Sequence, residues 1–399
     1  GPRRADAVYV LADLARQPAL IDAMLDPSFN LPIDADADDQ FLEELKLHLR
    51  KCESFEDQLN GARRYQREAA FRIAYQILRG QVCPEDAGRA YTRLADACIE
   101  MMSRAALREV ERKFGEWGGK WAICAMGKLG GHDLSATSDL DIMVVYDPGN
   151  PPAPNDLAAR FTQRLIAALS APTEEGEMYE VDMQLRPSGR AGPVAVKLSA
   201  FDKYYQGESW TWEFMALSRL RVIAGDSELA DRILNSAHTN IQAWSTHETL
   251  SADVLDMRQR IARDRQPKSK WDLKLSEGGL VDIEFVVHHE VLLAAKDHPD
   301  VICGNVLDAL DALERVGAFD TADAETLKSG YSLQSRMQHA IRVIMTGVFD
   351  AESASEGAKA WLANVCGYSS FEALEADLDS AQKAVADLRL KKLGILATD

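Results

Sequence analysis

The chain has 399 residues, with 63 Asp and Glu against 45 Lys and Arg, so its formal net charge at pH 7 is −18. This length is enough for two or three domains, each with its own core. Proteins that bind nucleic acid rely on basic surface, so the acidic balance argues against a DNA or RNA polymerase and favours a protein or small-molecule partner. No apolar run approaches the ~20 residues of a membrane span.

The cysteines and the first residues of the chain bear on its cellular location and on whether it is a fragment. The six cysteines are scattered without metal-binding spacing, which is typical of reduced thiols in a cytoplasmic protein. No signal peptide is evident. The chain starts with Gly-Pro and not with Met, which suggests an excised fragment that keeps the remnant of a cleaved tag. We therefore expect a cytoplasmic protein without membrane association.

The first 114 residues show mostly helical periodicity. Phe71, Ala74 and Ile77, for example, share one face of a helix and predict ordinary core packing. A glycine-rich break at residues 115–119 ends this pattern. We predict a helical N-terminal region over residues 1–114.

A buried strand and a glycine-rich turn follow. The apolar run from Trp121 to Met126 predicts the strand, which leads into Gly127-Lys128-Leu129-Gly130-Gly131. Glycines permit positive φ and a close approach of the backbone to a phosphate. The turn is not a P-loop, because the Gly-Lys-[Ser/Thr] ending is absent, and its glycine spacing does not match a dinucleotide fingerprint. Lys128 could reach a phosphate or could be an ordinary solvated lysine.

A pair of carboxylates opens the next predicted strand, which runs from Asp139 to Tyr146. Side chains two residues apart share a face of a strand, so Asp139 and Asp141 lie side by side while the apolar residues between them face a core. Adjacent carboxylates repel each other unless a cation lies between them. An isolated Asp-x-Asp pair is usually a solvated edge, but the preceding glycine turn favours a catalytic interpretation.

A third carboxylate, Asp182, lies in a strand-like segment from Met178 to Leu185. Mg²⁺ prefers a few carboxylates together with phosphate oxygens, and two-metal sites hold ions roughly 3.5–4 Å apart. We predict that Asp139, Asp141 and Asp182 are catalytic and bind two Mg²⁺ ions beside the triphosphate of a nucleotide. Asp182 could also accept the proton of an attacking hydroxyl. The pattern indicates metal-assisted nucleotidyl transfer.

The remaining candidates for nucleotide binding surround these acids. Arg186 and Arg190 flank a Pro-Ser-Gly sequence, and an arginine fork suits phosphate or carboxylate oxygens. A structural ion pair is an alternative for Arg186. Ser138 could donate to a phosphate or cap the turn. Farther along, Asp282 and Glu284 are more suited to ordering helix contacts or meeting the nucleotide edge than to binding metal.

The rest of the chain completes a three-part organisation. Residues 148–154 are rich in proline and predict a loop, after which a helix and a mixed region follow. From about residue 227 onward the periodicity predicts an all-helical bundle. We therefore predict a helical region at 1–114, a catalytic domain at 115–226 and a helical bundle at 227–399.

Several long motifs in the right order carry a family resemblance. Residues 127–146 resemble the signature of the DNA polymerase β-type nucleotidyltransferases. Together with residues 181–193, Trp210-Thr211-Trp212-Glu213 and residues 277–285, they resemble more closely the glutamine synthetase adenylyltransferase family, also called glutamate–ammonia-ligase adenylyltransferase. The resemblance covers roughly residues 120–290.

This resemblance implies an α+β fold in which a DNA polymerase β-type core, a small mixed sheet with helices, is flanked by helices on both sides. It implies a bifunctional enzyme with two related halves, one that attaches AMP from ATP to a tyrosine of glutamine synthetase and one that removes it by phosphorolysis. The motifs are more similar to the C-terminal, attaching half, which down-regulates nitrogen assimilation. The resemblance also implies that the PII signalling protein and glutamine regulate the full-length enzyme. The removing activity, or a regulatory binding module on the same fold, is the alternative.

Overall fold

The structure is a computed structural model that describes residue 24 and residues 27–34, 39–150, 155–345 and 347–394. Its strands are β1 (Lys120–Ala125), β2 (Leu140–Asp147), β3 (Val181–Asp182), β4 (Ala195–Lys197) and β5 (Arg221–Gly225). Its α-helices are α1 (Gln40–Leu49), α2 (Phe55–Leu78), α3 (Pro84–Phe114), α4 (Gly127–Gly130), α5 (Asn155–Ser170), α6 (Leu198–Gly207), α7 (Thr211–Leu217), α8 (Ser227–Trp244), α9 (Leu250–Asp264), α10 (Leu280–Ala294), α11 (Val306–Arg315), α12 (Thr321–Ile344), α13 (Glu356–Val365) and α14 (Phe371–Leu393).

The strands form one small mixed sheet. Its order is β3-β2-β1-β5, with β4 also beside β2. The strand β1 is antiparallel to β2 and β5, whereas β3 and β4 are parallel to β2. The predicted α+β class with a small mixed sheet is confirmed.

Helices cover both faces of the sheet. Leu140, Ile142 and Val144 of β2 pack into a core shared with α2, α3 and α5. Met143 and Val145, on the opposite face, pack into a second core with helices α6 to α12 and α14. The alternation predicted for β2 is therefore present, but helices also cover the face that carries Met143 and Val145.

The third predicted strand is much shorter than its apolar pattern indicated. Of residues 178–185, only Val181–Asp182 pair with a neighbour. The Asp182 carboxylate accepts hydrogen bonds from the backbone N–H and the side-chain amide of Gln184 at 2.7 and 2.8 Å. This local turn competes with strand pairing and ends β3. Prediction of a longer strand was wrong for this reason.

The C-terminal part is helical from α8 onward, as predicted. Its helices share the second core with the sheet, and α12, α13 and α14 enclose a third core around Trp271, Phe349 and Phe371. The domain limits at residues 114 and 226 stay predictions. The beginning of the predicted N-terminal region and most of the predicted proline-rich loop lie outside the described residues.

Two further observations concern the described part of the chain. The six cysteines have free thiols. Among the described helices, none combines the length and the hydropathy that crossing a membrane requires.

Candidate active site

The fold brings the three predicted acids to one end of the sheet. Asp141 in β2 lies directly opposite Asp182 in the parallel strand β3, and Asp139 precedes β2. A cavity of about 320 Å³ opens beside them, with Asp139, Asp182 and Arg190 in its lining. The parallel register places both strand starts at the same edge, which is why acids 41 residues apart in sequence meet.

Asp141 carries the strongest electrostatic signal of the three. Burial, followed by repulsion from Asp139 and Asp182, raises the pKa of Asp141 to about 6, against an ordinary value of 3.8. Arg219 and Lys274 act in the opposite direction but do not cancel the effect. A carboxyl whose pKa is raised by burial and by neighbouring carboxylates is typical of a site that holds a cation or exchanges a proton.

The glycine turn is pressed against Asp141. Gly127 has φ +55°, and a Cβ on it would lie only 2.1 Å from Asp141 Oδ2. The N–H of Met126 donates to the backbone carbonyl of Asp141 at 3.0 Å. Only glycine fits at position 127, both for its left-handed φ and for its contact. Because β2 lies between β1 and β3, the glycine turn and Asp182 flank Asp141 on opposite sides.

The later glycines of the turn contact Arg219, which sequence reasoning missed. A Cβ on Gly130 would lie 2.1 Å from the carbonyl oxygen of Arg219, and one on Gly131 would lie 2.2 Å from its Nη2. Arg219 is 6% exposed and donates to Glu284 at 3.2 Å. Among the described residues, its Nε and Nη2 have no hydrogen-bond partner. Gly130 therefore makes room for the backbone of Arg219, and Gly131 makes room for its buried guanidinium.

Lys128 faces the helical bundle and is not an ordinary solvated lysine. Its Nζ donates to Gln338 of α12 at 2.5 Å. Burial lowers the pKa of Lys128, although Asp133 and Glu284 partly oppose this effect. Lys128 thus ties the glycine turn to α12, and phosphate binding by Lys128 stays a prediction.

The other predicted nucleotide-binding residues have different surroundings. Ser138 Oγ accepts from the N–H of Ser135 at 2.9 Å, which is the capping arrangement considered for it. Arg186 is buried and donates to the carbonyls of Met183, Gly192 and Pro193, so its fork shapes the loop after β3. Arg190 is exposed and lines the cavity beside the acids.

Comparison with known proteins identifies the family. Residues 4–236 match the family model for glutamate-ammonia ligase adenylyltransferase, more than half of the chain. The chain belongs to this family. Residues 249–391 match a second model, described as GlnD PII-uridylyltransferase.

Curated members of the adenylyltransferase family resemble the chain along most of its length. The bifunctional glutamine synthetase adenylyltransferase/adenylyl-removing enzyme of Caulobacter vibrioides is 39% identical over 94% of this chain and 38% of its own. The enzymes of the same name from Xanthobacter autotrophicus and Rhizobium meliloti are 36% and 37% identical over 93% and 96% of this chain. The chain thus spans about two fifths of the length of these relatives.

Asp282 and Glu284, two acidic residues of the family signature, form bonds with other parts of the structure. Asp282 is fully buried and accepts from Arg258 Nε at 2.6 Å and from the N–H of Gly278 at 2.7 Å. Glu284 pairs with Arg219. Their predicted part in helix contacts agrees with these bonds, whereas the influence of Lys274 on Asp141 was not predicted. Lys274 has no local sequence signal, because it comes from a segment more than 100 residues away.

The donor chemistry of the site fits Mg²⁺. Asp139 and Asp182 raise the pKa of Asp141 by repulsion, and a divalent cation would relieve this repulsion. Within the described residues, no group of three or more His, Cys, Asp or Glu side chains has the geometry of a preformed metal site. Mg²⁺ is commonly held by one or two carboxylates and the phosphates of the substrate, so a complete protein cage is not required.

The raised pKa of Asp141 leads to a prediction about stability. Asp141 is harder to ionise in the folded protein than in the unfolded chain, which lowers the free energy of unfolding. This loss develops between pH 3.8 and about 6, is complete above that interval and is absent below it. Two pKa units correspond to at most about 3 kcal/mol. Without divalent cations, Asp141→Asn should therefore stabilise the protein by about 1–3 kcal/mol at pH 8 and have little effect at pH 4. Urea unfolding at both pH values measures this.

The matched control is Asp147→Asn at the far end of the same strand. Asp147 pairs with Arg232 at 2.7 Å, and its hydrogen bonds to that side chain hold its pKa below the ordinary value. Asp147→Asn should therefore give no gain at pH 8. Equal unfolding curves for wild type and Asp141→Asn at pH 8 would contradict the repulsion inferred here.

Proposed function

We propose that this chain transfers AMP from ATP to a tyrosine hydroxyl of glutamine synthetase and releases pyrophosphate. The observation that carries the proposal is the placement of Asp141 between Asp182 and Gly127 in a chain of the adenylyltransferase family. The names of the curated relatives indicate glutamine synthetase as the acceptor and adenylyl as the transferred group.

The proposed reaction uses the two sides of Asp141 differently. The triphosphate lies on the side of Gly127, where the backbone can approach closely. The tyrosine oxygen approaches from the side of Asp182 and attacks the α-phosphorus in line. The bond from that phosphorus to the bridging oxygen breaks, pyrophosphate leaves, and the tyrosine proton passes to Asp182 or water. Mg²⁺ held by Asp139, Asp141 and Asp182 would neutralise the charge of the phosphates.

Removal of AMP by phosphorolysis is the alternative, because the relatives are named for both activities. In that reaction a phosphate oxygen attacks the same phosphorus, the tyrosine oxygen leaves, and ADP forms. A regulatory module without catalysis is disfavoured because all three acids are present and meet at one site. In the full-length enzyme we propose control by the PII signalling protein and glutamine, and we propose the cytoplasm as its location.

One experiment separates these functions. The chain is incubated with Mg²⁺, glutamine synthetase and ATP labelled at the α-phosphate. Label on a synthetase tyrosine, with release of pyrophosphate, is the expected result. In a parallel reaction, adenylylated synthetase and phosphate are supplied without ATP. ADP formed only in this second reaction would assign the removing activity, and no product in either would contradict both assignments.

A further inference from the structure

A groove of about 910 Å³ lies next to the catalytic cavity. The loop after β3, the start of α7 and one side of α9 form its walls, with Gln184, Trp210, Trp212, Met257 and Arg260 among the lining residues. Trp210 is 70% exposed and Trp212 is 36% exposed. We call this feature the tryptophan groove. Such exposure of two neighbouring tryptophans is unusual on a surface without a binding role.

Hydrogen bonds hold the tryptophans in place. Glu213 accepts from the N–H of Trp210 at 2.9 Å and from the hydroxyl of Tyr204 at 2.7 Å. The hydroxyl of Thr211 donates to Asp253 of α9. The backbone that carries both indoles is thereby fixed to α6 and to α9. Binding of a partner would therefore remove little conformational entropy from this wall of the groove.

The tryptophan groove adjoins the cavity beside the acids. Gln184 lines both, and its side-chain amide donates to Asp182 at 2.8 Å. Since Asp182 and Gly127 flank Asp141 on opposite sides, the groove opens on the side away from the glycine turn. An occupant of the groove would therefore approach the phosphorus from the side of the attacking group.

We propose that the tryptophan groove binds the segment of the acceptor protein that carries the reactive tyrosine, with Trp210 and Trp212 as aromatic anchors. This inference rests on the proposed function. The groove is larger than the cavity beside the acids, about 910 against 320 Å³, and suits several residues of a polypeptide. Exposed tryptophans commonly dominate the binding energy of protein interfaces, and arginine is likewise enriched there. The tyrosine of the bound segment reaches Asp182 past Gln184.

The test compares wild type with Trp210→Ala and Trp212→Ala. Glutamine synthetase and ATP are varied separately in the labelling assay, and binding of the synthetase is measured without nucleotide. Loss of an anchoring tryptophan should raise KM and Kd for the synthetase at least about tenfold, with no comparable change in KM for ATP. Trp210→Phe keeps an aromatic face and should recover part of the affinity. A purely structural defect would not give this selective pattern.

Leu47→Ala serves as the control, because Leu47 is a 62% exposed apolar residue on α1, outside the groove. It should leave both constants at the wild-type values. If wild type labels the synthetase and both tryptophan variants keep its KM and Kd, the groove assignment alone is wrong. A rise in KM for ATP only would make the groove a nucleotide site and overturn the inference. Absence of labelling, of AMP removal and of binding by wild type would overturn the proposed function as well.

Discussion

Replacing Asp141 with Asn is expected to reduce AMP transfer by at least about 10³-fold while the protein stays folded. The substitution removes the charge of the acid that lies between Asp182 and the glycine turn. A group that helps to neutralise phosphates in the transition state contributes several kcal/mol, and each 1.36 kcal/mol is a factor of ten in rate. Transfer of label from ATP to glutamine synthetase measures the loss.

The same variant should be more stable than wild type at pH 8 without divalent cations, because Asn removes the repulsion among the acids. A variant that is more stable than wild type but transfers less AMP has lost a reactive group and not its fold. Asp147→Asn provides the control for both measurements, since it makes the same substitution in β2 but at an ion pair with Arg232. An Asp141→Asn protein that transfers AMP at close to the wild-type rate would contradict the assignment of the site.

The local pattern of the chain predicted strand β2 well. Alternation of apolar residues with Asp139 and Asp141 predicted β2, and the glycines predicted a turn with positive φ and room for close backbone contacts, whereas the contact of Gly127 with Asp141 was not predicted. These features depend on residues that are near each other in sequence. The length of β3 was not predicted, because the turn between Asp182 and Gln184 competes with an apolar pattern that favours a strand.

Contacts between the glycine turn and the helical bundle could not be predicted in the same way. The partner of Lys128 is Gln338, 210 residues away, and Arg219 reaches Glu284 across 65 residues. Neither pair has a periodic signal, because each depends on how the bundle packs against the sheet. The sequence therefore predicted the acids and Arg190, but not the approach of Arg219 and Lys274 to Asp141.

The second large effect is expected at Asp282, which has an exposed fraction of 0%. Asp282→Asn should destabilise the protein by about 3–5 kcal/mol, because it leaves the buried guanidinium of Arg258 without its counter-charge and leaves Arg389 with only the exposed Glu277. Arg258 lies 2.6 Å from this carboxylate and Arg389 lies 3.4 Å from it, and both arginines are almost fully buried. Urea unfolding at pH 7 measures the loss.

Asp256→Asn is the matched control, since Asp256 pairs with Arg260 on the exposed side of α9 and exposed pairs contribute little. It should leave the unfolding midpoint nearly unchanged. Arg258→Met added to Asp282→Asn should recover part of the lost stability, because it removes one of the uncompensated charges. Equal midpoints for Asp282→Asn and wild type would contradict a structural role for the buried cluster.

Asp282 also links the buried ion-pair cluster to the acids of the candidate active site. Its carboxylate accepts from the N–H of Gly278, and the following turn of α10 donates from Val281 to the carbonyl of Lys274. Lys274 in turn acts electrostatically on Asp141. Under conditions in which Asp282→Asn is still folded, its transfer rate should therefore fall more than that of Asp147→Asn, whose site lies outside both the groove and the cavity beside the acids. Asp282 acts as a positioning residue, because it holds the segment that brings a positive charge close to the catalytic acids.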